Sequence, residues 1–214
     1  LAGEAARGVR STRITELVTV AAAPQGTAGA GRSQLVELKA VDGEFPFYGT
    51  LKLAPQRPLS DLLADGGAVA GPELLARLGL SLGDPIAIGG RTFTLRGTVL
   101  AEPDRLGNAF SLGPRLFLAG ESLRSTGLVA MGSRVTHRLL VRLPPGTSAE
   151  GVEAFAARLR GVLADPAFYR IETSAEGQPE MRRGVDRTER FLGLVALLSL
   201  VVGGVGVAQT VRAW

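Results

Sequence analysis

Apolar and polar positions alternate along three stretches of the chain. In residues 34–41, Val36, Leu38 and Ala40 alternate with Glu37 and Lys39, the period of two expected of a half-buried strand. Residues 15–22 read as an earlier strand. Residues 137–143 read as a third, introduced by Gly132-Ser133 and stopped by Pro144-Pro145. Residues 3–9 read as the end of a helix. After the third strand the period changes to that of a helix: Val152, Phe155, Ala156, Leu159, Val162 and Leu163 share one face, with Thr147 and Glu150 at capping-box spacing. Asp165-Pro166 ends that helix, and residues 168–173 read as a returning strand. The pattern predicts an α+β fold whose small α/β sandwich comes from both chain ends, residues 1–42 and 132–178. Residues 43–131 read as an inserted, β-rich subdomain. There Pro72 opens a short helix through Leu78 that Gly79 stops. Residues 84–88 and 91–99 form a hairpin across Gly89-Gly90, with Ile86 opposite Phe93.

A different pattern takes over near the end. Residues 191–211, FLGLVALLSLVVGGVGVAQTV, carry no charge, and as a helix they extend about 31 Å, the thickness of a bilayer's hydrocarbon core. Arg187, Arg190 and Arg212 flank the run, which predicts a transmembrane helix. Within it Ser199/Gly203 and Gly204/Ala208 have the small-xxx-small spacing that lets membrane helices pack closely. Upstream, Met181, Val185, Thr188, Leu192 and Val195 are spaced by three and four residues, a seam that predicts a stalk helix over 179–190 continuous with the span. Arg182, Arg183, Arg187 and Arg190 fall on its wet faces or snorkel. Leu1 in place of Met, and a helical run reaching Trp214, read as the cut ends of a longer protein.

Composition narrows the chemistry. With 45% hydrophobic residues the chain can bury a core. It has no Cys, which excludes disulfides, thiolate metal sites, iron–sulfur clusters and thiol nucleophiles, and a single His, His137, which excludes sites needing two imidazoles. Neither metal nor cofactor is expected. The net charge of +4 comes from 22 Arg and 2 Lys spread along the chain, without the basic stripe and interleaved aromatics of a nucleic-acid surface, so no nucleic-acid partner is expected.

Residues 79–83 match the G-x-S-x-G nucleophile elbow, with Asp104 and His137 following in hydrolase order. That elbow needs a strand before the Ser and a helix after it. Here the helix comes first, so Ser81 reads as a turn residue and no catalytic residue is assigned. GGVGVA fails as a dinucleotide loop because Gln209 stands where the third Gly belongs, and neither Lys39 nor Lys52 sits in a P-loop. Any ATP hydrolysis belongs to another subunit.

VELKAVDGEFPFYG (36–49), ARLGLSLGDPI (76–86), EPDR (102–105), STGLVAMGSRVTHRLL (125–140) and RTERFLGLVAL (187–197), in that order, resemble FtsX-like, MacB-type ABC transporter permeases of the YbbP-like export group. The resemblance implies an extracytoplasmic domain between two membrane helices, followed by the second of them, in a bacterial inner membrane. Residues 1–42 and 132–178 would form a "porter" part and 43–131 a "Sabre" part, with residues 1–180 outside the cytoplasm. It further implies a cytoplasmic ABC ATPase as partner, contacts with membrane lipid, with other permease helices or a second permease copy, and with a periplasmic partner, and movement of hydrophobic or lipid-linked cargo by mechanotransmission. Counting Arg alone, four before the span and one after, would put the domain inside; the resemblance puts it outside. The alternative reading is a single-span extracytoplasmic sensor or interaction module.

Overall fold

The computed structural model describes residues 8–102, 113–163 and 168–173, together with the helical residues 196, 199, 211 and 212. Contacts divide the chain into two units, Leu1–Gly146 and Thr147–Trp214.

The first unit is a mixed, sheet-dominated α/β fold. Its strands are β1 (Arg10–Ala22), β2 (Ser33–Asp42), β3 (Lys52–Ala54), β4 (Gly67–Ala70), β5 (Pro85–Ile88), β6 (Arg91–Ala101), β7 (Arg115–Ala119) and β8 (Thr136–Arg142). Among the described residues three short helices connect them: α1 (Leu59–Leu63), α2 (Pro72–Leu78) and α3 (Gly120–Ser125). The strand order β2-β7-β4-β6-β5-β1 closes on itself because β1 also pairs with β2. β1 is long enough to serve three neighbours. One edge pairs with β2 over residues 13–22, while the other pairs with β8 at residues 10–16 and with β5 at Ala21 and Ala22. The result is a six-stranded ring with β8 extending beside the first half of β1, and β3 added to β6.

Period-two alternation sorts the side chains of this ring. All six of its strands send residues into one cluster, including Leu17, Leu38, Ala70, Ile86, Leu95 and Leu116, which fills the interior with Leu74 and Leu78 of α2 and Leu123 of α3. A second cluster, with Ile14, Val41, Val69, Val99 and Phe117, covers part of the outer face under α1. Val99 reaches that face because β6 bulges: Ala68 opposes Leu95 but Val69 opposes Gly97, so Arg96 is the extra residue and the alternation flips beyond it.

The local chemistry explains the turns. Gly79 adopts φ 65, its N–H donates to the Ala76 carbonyl, and the Leu80 N–H donates to the Leu75 carbonyl, a Schellman closure with buried Leu80 as its apolar contact. Gly89 and Gly90 both have positive φ, as a two-residue primed turn requires, and Ile86 opposes Phe93 as expected. Strands from residues 43–131 pair directly with those of the chain end: β7 with β2 and β5 with β1. β1 begins at Arg10, five residues before the expected start, because the polar run 10–13 finds its partners on β8.

The second unit contains α4 (Ala149–Val162). Ser148, rather than Thr147, caps it, its Oγ accepting from the Gly151 N–H at 3.2 Å. The apolar face is shorter than expected: Phe155 and Ala156 are buried, but Val162 is exposed because the helix ends there. Ser148→Ala is expected to lower stability by about 1 kcal/mol. A chemical melt that responds to Thr147→Ala instead would return the cap to Thr147. The returning strand expected over 168–173 is not formed. The Tyr169 hydroxyl donates to the Leu163 carbonyl at 3.2 Å, and residues 168–173 pair with no strand among the described residues. Residues 3–7 of the expected first helix, and Asp104, lie outside the described residues.

Candidate functional site: a buried ion ladder on the ring wall

Across β1 and β2 the outer-face pairs are Ile14 with Val41, Glu16 with Lys39, Val18 with Glu37 and Val20 with Leu35. The parallel pairing of β2 with β7 sets Glu37 beside Arg115 and Lys39 beside Phe117. Five strands or strand ends therefore bring six charges into one line. Arg138 Nε of β8 lies 3.2 Å from Glu16 Oε2, and Glu16 Oε1 lies 3.3 Å from Lys39 Nζ. Lys39 Nζ donates to Glu102 Oε1, just past β6. Glu102 Oε2 is 3.7 Å from Arg115 Nε, which is 3.3 Å from Glu37 Oε2. Three cations and three carboxylates balance.

Burial grades along this line. The Arg138 side chain is half exposed, whereas those of Lys39 and Glu102 are 5% and 2% exposed. An ammonium so far out of water needs compensation. Two carboxylates supply it, together with the Phe45 and Phe117 ring faces, whose centroids lie 5.2 and 5.8 Å from Nζ.

The ladder links strands by charge. Each carboxylate is held by a cation, and no nucleophile–base pair enters it. The cavity beside Glu102 and Arg115 has a volume of about 10 Å³, far below the roughly 300 Å³ at which small-molecule pockets begin. Among the described residues no group of three or more His, Asp or Glu could hold a metal ion. What the ladder does is cross-link β1, β2 and β8, from the two chain ends, to β6 and β7 from the stretch between them.

Sequence reasoning missed this site. Glu37 and Lys39 read as the wet side of an alternating strand, and Glu102 lies 63 residues from Lys39. The one available signal was the opposite charges of Glu37 and Lys39, two apart and hence on one face. Around Ser81 the helix comes first and a strand follows, the reverse of a nucleophile elbow. Ser81 is an exposed turn residue whose N–H donates to Asp84 Oδ2 at 2.8 Å, between a helix and a strand. His137, on β8, lies 3.2 Å through Nδ1 from Thr15 Oγ1. Of the packing and seam residues, Ser199 is helical, while Met181, Val185, Thr188, Leu192, Val195, Gly203, Gly204 and Ala208 lie outside the described residues. Among the described residues no helix is long and apolar enough to cross a membrane; most of the 191–211 run is outside them.

The chain resembles known proteins in sequence and in fold. The chain is 33% identical over 178 residues to YbbP of Escherichia coli (strain K12), named an uncharacterized ABC transporter permease, a match covering 82% of this chain. The match spans 21% of that permease's length. The periplasmic region of MacB from Actinobacillus actinomycetemcomitans superposes with a TM-score of 0.50 at 16% identity, covering 70% of this chain and 64% of the other. The extracellular domain of the noncanonic ABC-type transporter YknZ from Gram-positive bacteria gives a TM-score of 0.48 at 14% identity, covering 73% of this chain and 76% of that one. The model of the MacB-like periplasmic core domain matches residues 3–159, and the chain belongs to that family.

Proposed function

We propose that this chain is the extracytoplasmic domain and second membrane helix of an ABC exporter's permease subunit. The observation that carries the reading is the family match over 3–159 followed by the uncharged run 191–211. In this reading β1 leads in from a first membrane helix, and residues 179–190 lead out as a rigid stalk to the span at 191–211. A separate cytoplasmic ATPase supplies the energy. Its movement passes up the stalk to residues 1–180, which act on hydrophobic or lipid-linked cargo outside the inner membrane. The ion ladder supports the mechanical part: its charges tie β1, β2 and β8 to β6 and β7, so that the ring of the first unit moves as one body. Ser199, Gly203, Gly204 and Ala208 would pack the span against a neighbouring permease helix.

The stalk carries the test. Val185→Pro removes a helical hydrogen bond and clashes with the preceding turn, at a cost of about 3 kcal/mol to the local helix. In the reassembled transporter, a spin label on Leu82→Cys should report a nucleotide-dependent change. With Val185→Pro that change should vanish while ATP hydrolysis persists and the domain keeps its circular dichroism. A nucleotide response that survives the kink would show that the stalk transmits nothing.

A further inference from the structure

The longest link of the ion ladder leaves polar atoms over. Arg115 Nε and Glu102 Oε2 stand 3.7 Å apart, beyond the roughly 2.7–3.2 Å of an N–H···O hydrogen bond. Neither atom has a hydrogen-bond partner, and both are buried. The Glu102 side chain is 2% exposed and that of Arg115 10%. Moving together would close the gap, but both side chains are already held. Glu102 Oε1 accepts from Lys39 Nζ, and Arg115 Nε lies 3.3 Å from Glu37 Oε2 on the neighbouring strand. Behind Arg115 its carbonyl accepts from the Gly71 N–H at 2.9 Å, which fixes the backbone. Buried polar atoms are almost always paired in folded proteins, so two orphans side by side point to a third group that serves both.

A cavity of about 10 Å³ opens against these same two side chains, walled also by Gly71, Glu73 and Val99. One water needs about 10–15 Å³ and two to four polar partners. An organic ligand does not fit. Glu73 brings a third polar group to the wall. Its carboxylate folds back over Gly71, where a Cβ would stand 2.9 Å from Glu73 Oε1. The 3.7 Å separation is too short to hold a water on the line between Nε and Oε2. Seated to the side, in the cavity, a water reaches both.

We infer that one water is resident in this cavity as a rung of the ladder. It accepts from the Arg115 Nε–H, donates to Glu102 Oε2 and turns its second hydrogen to the Glu73 carboxylate. Those are the three bonds typical of a buried water. A neutral occupant suits the site, because the ladder already balances three cations with three carboxylates and the partly exposed Glu73 keeps its charge in contact with solvent. With this rung the link from Glu102 to β7 becomes hydrogen-bonded instead of a long ion pair. The site is the same on whichever side of a membrane the domain stands.

The test uses the full chain in detergent micelles, isotope-labelled at arginine, and reads the rotating-frame Overhauser effect between the Arg115 Nε–H and water. Arg115→Lys identifies the resonance by its loss. The expected cross-peak has the sign of direct dipolar contact with a water that tumbles with the protein; chemical exchange gives the opposite sign. Val99→Ile adds a methylene at the cavity wall and should abolish the cross-peak. Glu73→Ala, at the partly exposed wall, should keep the fold and speed hydrogen exchange of the Arg115 Nε–H severalfold. Circular dichroism checks both variants, and if Val99→Ile does not fold, Glu73→Ala decides alone. A native chain that shows only the exchange sign, or a resonance lost to rapid exchange with bulk water, would overturn the inference. So would a cross-peak that survives in folded Val99→Ile, or an exchange rate that Glu73→Ala leaves unchanged. A cross-peak present in choline chloride and absent in sodium chloride would assign the space to a sodium ion and overturn it too.

Discussion

Lys39→Ala is expected to destabilise the first unit by about 3–5 kcal/mol, a fall in Tm of about 6–20 °C. The size follows from what stays behind. Lys39 Nζ sits between Glu16 and Glu102, and the Glu102 side chain is 2% exposed, so removing the ammonium leaves a carboxylate buried with only Arg115, 3.7 Å away, to face it. A surface ion pair would cost under about 1 kcal/mol, which the burial of both partners rules out as the model here. A second variant isolates the cause. Lys39→Met with Glu102→Met removes one cation and one anion together, leaving Arg138–Glu16 and Arg115–Glu37 as closed pairs. That double variant should be more stable than Lys39→Ala. If it is less stable, packing rather than charge balance holds the ladder.

Phe117→Ala should cost about 3–5 kcal/mol as well, by a different route. Phe117 is fully buried on β7, in the outer-face cluster with Leu62, Val69 and Val99. Its ring lies 6.4 Å from that of Phe45 and 5.8 Å from Lys39 Nζ, so truncation opens a cavity and takes one of the two ring faces from the buried ammonium. Urea unfolding should show a lower midpoint with little change in slope. Phe117→Leu, which refills most of the volume, should cost less. A truncation cost under about 1 kcal/mol would mean that α1 collapses into the gap.

How far the sequence spoke depended on whether a segment had a wet face. β2 alternates because its outer face carries Glu37 and Lys39, and the β5–β6 turn announces itself through Gly89-Gly90. α2 is bracketed by Pro72 and Gly79. By contrast β4 is Gly-Ala-Val-Ala and β7 is Arg-Leu-Phe-Leu-Ala; β4 is buried throughout and β7 in all but its last residue, so neither alternates. Their strand character comes from neighbours distant in sequence. The closure of the ring was equally hidden, since β1 must pair with β2, β5 and β8 at once and nothing in residues 10–22 signals three partners. The ladder depends on that closure, which makes it a property of the assembled ring.

The extracytoplasmic position is the claim on which the mechanical reading stands, and the absence of Cys from the chain makes it directly measurable. Tyr48 is 71% exposed. With Tyr48→Cys as the only cysteine of the full-length parent, a membrane-impermeant maleimide should label it on cells whose inner membrane is intact, after the outer barrier is opened. Lysis should add little further label. Protection on intact cells followed by full labelling after lysis would place this domain in the cytoplasm and contradict the permease arrangement.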